Sequence, residues 1–190
     1  HVSDKSFYDV ISLSEAPVIA SHSSCRALCS SPRNMTDDML LSLKDNGGVI
    51  QICILSSYIK TPEPNHELES KMTELSGKYG EYSSLSDENK AAYRVEYMKI
   101  QETYRKYATV SDVVDHIDHV VQVIGIDHVG IGTDFDGGGG VEGCMSVAEM
   151  KNITIEMLRR GYTRRDLEKV WGGNLMRVFR EVGSIRGREA

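Results

Sequence analysis

The chain has little cysteine, no surplus of positive charge and no long apolar run, and each shortage closes off a class of protein. Cys25, Cys29, Cys53 and Cys144 are too few and too unevenly spaced to staple a chain of 190 residues. The first pair is spaced C-x3-C rather than C-x2-C, and buried free thiols are the expectation. Lys and Arg number 22 against 28 Asp and Glu, a formal net charge of -6, and the basic residues are scattered. No electrostatic footprint for nucleic acid or an anionic membrane surface results, and a small soluble substrate is the expected partner. No run approaches the ~20 apolar residues of a membrane-spanning helix. The first residues show no basic start or apolar signal core, which excludes nothing where the chain begins partway through a protein, and Gly183 to Ala190 are polar and charged, unlike the apolar tail expected before lipid anchoring.

What is present is an alternation of helical and strand patterns. Asp4 to Ser12 predicts a short helix and Ala16 to Ser21 an apolar strand. Thr36 is an N-cap with Asp37 and Asp38 in the first turn; Met39, Leu40 and Leu43 form an apolar face, and Gly47-Gly48 stops the helix. Val49 to Leu55 predicts a second buried strand. Between Asp112 and Ile124, Val113, Val114, Ile117, Val120, Val121 and Ile124 recur at helical spacing, and Gly125 precedes a third strand at His128 to Thr133. A last helical region, about Ser146 to Val182, is broken at Gly161 and Gly172-Gly173. Such alternation predicts parallel βαβ units with strands ending near His22, Tyr58 and Asp134. The length is below the roughly 250 residues of a complete eight-stranded barrel, so the chain is expected to begin partway through one.

Residues Lys60 to Thr109 interrupt the rhythm. Thr61-Pro62-Glu63-Pro64 cannot continue a central strand, and a charged, tyrosine-rich stretch follows, with Ser86-Asp87 capping a helix to about Lys106. The expectation is a helical insertion within a single domain of residues 1–190, either a lid or subunit contact or a solvated excursion.

The chemistry gathers at the strand ends, where parallel strands hold ligands and catalytic groups in fixed positions. His1 and His22 are separated by about one βα unit, and two neutral imidazoles on adjacent strand tips suit zinc. Asp134 ends the third strand; a carboxylate there can ligate a metal, take a proton from water or hold an amine. Arg33 follows His22's strand in the loop Ser30-Ser31-Pro32-Arg33-Asn34 and offers a fork for a carboxylate. Each of these residues taken alone also fits a satisfied structural histidine or a solvated arginine. His116 and His119 form H-x2-H, but beside Asp115 and Asp118 and without a third ligand they read as solvated or packed between helices. Gly137 to Gly140 is a turn rather than a phosphate loop, since no G-K-S/T follows. Asn34 and Asn152 fit the glycosylation sequon, which is informative only in a secreted eukaryotic protein.

The runs His1-Val2-Ser3, Ala16-Pro17-Val18-Ile19-Ala20-Ser21-His22-Ser23-Ser24, Arg33-Asn34 and Gly132-Thr133-Asp134-Phe135-Asp136-Gly137 closely resemble the membrane (renal-type) dipeptidase family of zinc metallopeptidases, within its C-terminal half. The resemblance implies an α/β fold, the C-terminal half of a (β/α)8 TIM barrel of amidohydrolase type, carrying two zinc ions and hydrolysing dipeptides with a metal-bridged hydroxide. It implies that His1 and His22 bind one zinc, Arg33 holds the free carboxylate of a dipeptide and Tyr58 lines the pocket. Asp134 is implied to contact the bridging water and the substrate amine, with Asp136 the nearest substitute. The family's first-strand His-x-Asp pair, its bridging glutamate and a further histidine would precede His1, so this chain alone is not expected to be active. The resemblance leaves a homodimer open. Two alternatives remain: another amidohydrolase-type barrel cleaving cyclic amides or N-acyl amino acids, and a metal-free binding or scaffold relative. Arg33 argues against a neutral cyclic amide, which has no carboxylate to offer it.

Overall fold

Val49-Ile50-Gln51-Ile52-Cys53 has the branched apolar content of a strand covered on both faces, and it is the middle strand of a three-stranded parallel sheet. A computed structural model describes residues 2–186. In it the sheet order is β1 (Ile19–Ser23), β2 (Val49–Cys53), β3 (Val129–Gly132), and all five residues of β2 are buried. The strands are shorter than the apolar runs predict. Pairing stops at Ser23, Cys53 and Gly132, and the chain beyond each turns into the loops that carry polar side chains. Asp134 accordingly lies two residues past its strand rather than ending it.

Strand alternation sorts β2 into two faces. Ile50 and Ile52, with Ile54 beyond, join the apolar core formed with Leu40 and Leu43 of α2 (Asp37–Asp45) and Val113, Ile117 and Val120 of α6 (Val110–Ile124). Gln51 and Cys53 point to the other side, where their partners on β3 are Gly130 and Gly132. A Cβ on Gly130 would collide with the Gln51 amide, and one on Gly132 with the Ser21 carbonyl, so this inner face has room only for glycine.

The helices start where their caps predict. Thr36 Oγ1 accepts from the Met39 N–H of α2, and Thr109 and Asp112 form a reciprocal capping box that begins α6 two residues before its periodic stretch. Gly125, at φ 94°, ends α6 and turns the chain toward β3. α1 (Asp4–Leu13) precedes β1, and the short α3 (Ser56–Ile59) follows β2. The last helical region divides into α7 (Lys151–Arg159), α8 (Arg164–Glu168), a π-helical turn over Lys169–Gly173 and α9 (Asn174–Arg186). The breaks fall at Gly161, with φ 90°, and Gly172, with φ 150°. Arg160 fixes the end of α7 to α6 through Asp115 (2.6 Å) and Asp118 (2.7 Å). Among the described residues no helix is long and apolar enough to cross a membrane.

The chain divides into two compact units, Pro62–Lys106 and the remainder. Within Pro62–Lys106, α4 (His66–Tyr79) and α5 (Asp87–Tyr104, capped by Ser86) bury only Leu75 among their side chains. Aromatic contacts supply the cohesion that apolar burial does not. Tyr93 sits 5.7 Å from Tyr79, 5.1 Å from Tyr82 and 6.2 Å from Tyr97, and Asn65 caps α4 while its amide donates to the Tyr104 carbonyl at 2.7 Å.

His116 is not solvated; it is 1% exposed in the core, and its partners fix its protonation. Nδ1 lies 2.9 Å from the Cys25 backbone N–H, which can only donate, and Nε2 lies 2.8 Å from the Ile59 carbonyl, which can only accept. The ring is therefore the neutral Nε2–H tautomer. Burial lowers its pKa first and foremost, with the His119 charge adding and the Ile59 bond, Asp115 and Asp112 opposing. Because the folded pKa lies below the unfolded one, His116 costs nothing well above about pH 6.5 and withdraws stability as pH falls below it. Urea midpoints should thus decline between pH 7 and 5.5 in the parent, and His116→Phe, though less stable at pH 7, should show a flatter profile over that interval.

Candidate active site at the strand ends

His22 reaches the site through an irregularity in β1. Ala20 pairs with Ile50 but Ser23 pairs with Ile52, so three steps on β1 match two on β2 and one residue is extra. Without this bulge His22 would pair with Ile52 and face the helices; the bulge turns it toward the inner side. Its Nδ1 lies 2.8 Å from Ser21 Oγ and its Nε2 lies 3.3 Å from Nη2 of Arg33. A guanidinium only donates, so Nε2 must accept, and the proton of the neutral ring is on Nδ1, donated to Ser21. Nε2 is thus an acceptor nitrogen, the kind a metal can bind, and a metal there would take the place of the Arg33 bond.

Arg33 is held by a loop that has almost no freedom. Its carbonyl accepts from Ser23 Oγ at 2.9 Å, and Arg26 donates to the carbonyls of Asn34 (2.8 Å) and Pro32 (3.0 Å). The other Arg26 contact is a two-pronged pair with Asp4 of α1, at 2.7 Å for each bond, which lowers the Asp4 pKa. Asn34 is buried, and its amide donates to the carbonyls of Cys29 (2.9 Å) and Tyr58 (2.7 Å). That burial removes Asn34 from consideration as a glycan acceptor. The same bond seats Tyr58, on α3, beneath Arg33, whose guanidinium carbon is 5.7 Å from the Tyr58 ring centroid. Arg33 Nε is buried without a partner among the described residues, so its fork retains a donor to spend on a ligand. A cavity of about 180 Å³ opens between α1, β1 and this loop, bounded by Phe7, Ser21, His22, Arg26 and Arg33.

Asp134 is the only non-glycine residue with positive φ among those described, at 53°. Its carbonyl accepts from the N–H groups of Gly137 (3.0 Å) and Gly139 (2.7 Å), so the glycine stretch is a pinned turn around Asp134. Asp134 is half-buried, whereas Asp136 is exposed on the short helical turn Phe135–Gly137. The Asp134 carboxylate meets the Cys53 thiol, with Oδ2 3.8 Å from Sγ. Cys53 feels both the Asp134 and the Arg33 charges, so the ends of β2 and β3 and the Arg33 loop share one neighbourhood.

The structure therefore brings His22 and Tyr58 each beside Arg33, and sets Asp134 against Cys53, which feels the Arg33 charge. His1 lies outside the described residues. Among the described residues no three His, Cys, Asp or Glu side chains converge on one metal position. The acceptor nitrogen of His22 suits a zinc ion in donor chemistry, and any further ligands would come from outside the described residues. His116 and His119 contribute none, being spent on Ile59 and Cys25 and on Asp37 (2.7 Å) respectively. All four cysteines are buried free thiols.

Comparison with known proteins gives a consistent picture. The sequence model of the family described as membrane dipeptidase (Peptidase family M19) matches residues 1–190. The dipeptidase ataJ of Aspergillus terreus is 34% identical over 192 residues, covering 100% of this chain and 36% of that protein. Dipeptidase 3 of mouse is 32% identical over 187 residues, covering 98% of this chain and 29% of its own length. The crystal structure of the probable dipeptidase PvdM from Pseudomonas aeruginosa superimposes with a TM-score of 0.74 at 35% identity, over 95% of this chain and 48% of that one. A metallopeptidase from Rhodobacter sphaeroides, solved with a phosphinate mimic of the dipeptide L-Ala-D-Ala, shares the fold at a TM-score of 0.69 and 23% identity, over 95% of this chain and 40% of that one. The chain thus spans about a third of the curated relatives it matches and under half of these solved structures. Its sheet and helices are part of a (β/α)8 barrel of amidohydrolase type.

Asn34 offers a direct check on how the Arg33 loop is held. Asn34→Ala leaves two carbonyls without their donor and should cost about 2–3 kcal/mol in urea unfolding, while Asn34→Asp, which sets a carboxylate against those oxygens, should cost more.

Proposed function

This chain belongs to the membrane dipeptidase family, peptidase family M19, and from that membership we propose that the complete protein is a zinc-dependent dipeptidase. The observation that carries the reading is the adjacency of Arg33 and His22: a guanidinium with a donor in reserve lies 3.3 Å from an imidazole acceptor nitrogen. A carboxylate-binding group beside a metal-type ligand is what a peptidase of short substrates with free C-termini needs.

In this reading His1 and His22 hold one of two zinc ions, the other ligands belonging to the rest of the barrel. Two bound zincs supply polarisation of the scissile carbonyl and a water acidic enough to attack near neutrality. Arg33 binds the substrate carboxylate and sets the register of the peptide, with the Tyr58 ring supporting its guanidinium face. Asp134 accepts the proton released from the attacking water and delivers it to the leaving amine. Its carboxylate also offers a partner to the substrate's free amino group. A neutral cyclic amide would leave the Arg33 charge unmatched, which disfavours that class of substrate.

Two outcomes test these roles in the complete, zinc-loaded protein. Arg33→Ala should lose far more activity on a dipeptide than on the same dipeptide amidated at its C-terminus, as kcat/KM for the pair would record; equal losses would refute the clamp. Asp134→Asn keeps size and removes the base, so kcat should fall by about two to four orders of magnitude, with zinc content by elemental analysis unchanged. Zinc lost in proportion to activity would make Asp134 a ligand instead.

A further inference from the structure

The inner face of β2 carries a side chain that the assembly of His22, Arg33 and Asp134 leaves unexplained. Cys53 is fully buried and points away from the apolar core that takes Ile50 and Ile52. Its partner across β3 is Gly132, which has no side chain, so nothing intervenes between the end of β2 and the turn after β3. The thiol spans that gap to Asp134, at 3.8 Å from Oδ2. An ionised carboxylate can only accept, so the thiol donates.

The rest of Asp134 is confined independently. Its backbone is left-handed, fixed by the two glycine N–H groups that bond its carbonyl, and a residue other than glycine holds that conformation only where its surroundings impose it. Its Oδ1 occupies the space that a Cβ on Gly137 would need. One carboxylate oxygen is therefore set against Gly137 and the other against the Cys53 thiol. Removing the thiol leaves only one side of that confinement.

We propose that Cys53 is a positioning residue whose S–H, donated to Oδ2, orients the Asp134 carboxylate for proton transfer. This rests on the dipeptidase reading, because that reading is what gives Asp134 a proton to move. Burial, above all, pushes the Cys53 thiol up to about 11, so it keeps its hydrogen wherever the enzyme would work. A thiol is also a weak donor. It can fix the direction of a carboxylate while stabilising the anion little, so the carboxylate keeps its basicity.

The test uses the complete zinc-loaded enzyme. Cys53→Ala should lower kcat on a dipeptide about tenfold with KM and zinc content little changed, and Cys53→Ser, which restores a donor, should recover most of the loss. The contact itself is read without turnover from the infrared S–H stretch of Cys53, identified by its disappearance in Cys53→Ser. Asp134→Asn should move that band to higher frequency as the bond weakens. In an active parent, an unmoved band overturns the inference, as does a Cys53→Ala enzyme with the parent's kcat or a Cys53→Ser enzyme no better than Cys53→Ala. If the parent hydrolyses no dipeptide, the reading beneath the inference falls and the positioning role falls with it, a result distinct from those above.

Discussion

The placement of β2 between two parallel neighbours is the constraint on which the strand-end site depends. All five of its residues are buried, and its alternation sends Ile50 and Ile52 to the core and Gln51 and Cys53 to the inner face. A slip of one residue would exchange the two sets, putting an amide and a thiol into an apolar core and isoleucines against the Asp134 turn. Apolar burial thus sets the register, and the register sets which groups meet at the strand ends. The same pairing locates the bulge in β1, because an extra residue has meaning only against a partner whose register is fixed.

Partners rather than residue type decide what each histidine can do. His116 is flanked by a backbone donor and a backbone acceptor and becomes the Nε2–H tautomer with both nitrogens spent. His22 is flanked by a hydroxyl and by a guanidinium that cannot accept, so its Nε2 is an acceptor held beside the Arg33 side chain. One is a structural pin and the other offers an acceptor nitrogen. Glycine plays a matching part by absence. Gly130, Gly132 and Gly137 each stand where a side chain would strike Gln51, Ser21 or Asp134, so polar groups occupy space that the backbone leaves empty.

The alternation of elements was legible because it rests on local chemistry: Thr36 and Thr109 as caps, apolar residues at helical spacing in α6, and glycines at the breaks. Orientation at the site was not, because it depends on pairing between distant segments. Period-2 alternation alone puts His22 on the same face as Ala20, and only the β1–β2 register shows otherwise. Cys53 looked like any buried thiol, since its contact with Asp134 joins residues 81 positions apart. Its one signal was Gln51, a polar residue in an otherwise apolar strand, which marks the inner face as something other than plain core. For His116 the sequence left solvation and packing between helices open, because its neighbours in sequence are charged, whereas Cys25 and Ile59, which bury and bind it, arrive from elsewhere. Arg33 as a carboxylate clamp came from family resemblance, since an arginine in a loop announces nothing by itself.

On the proposed reading, two opposite charges on fixed supports would act as a measure of substrate length. Arg33 is restrained by Ser23, Arg26 and Asn34 around its backbone and by Tyr58 beneath its plane, and Asp134 by its glycine turn and Cys53. Neither can travel far to meet a ligand. A free dipeptide presents a carboxylate and an ammonium group at one short separation, to be met by a cation in the loop after β1 and an anion in the turn after β3, on either side of β2. A longer peptide presents a neutral amide where one of those charges should be. The unmatched partner then loses water without gaining an ion, a penalty that works against binding. Discrimination against longer chains would follow from rigidity at the two ends, with no need for a wall to block them.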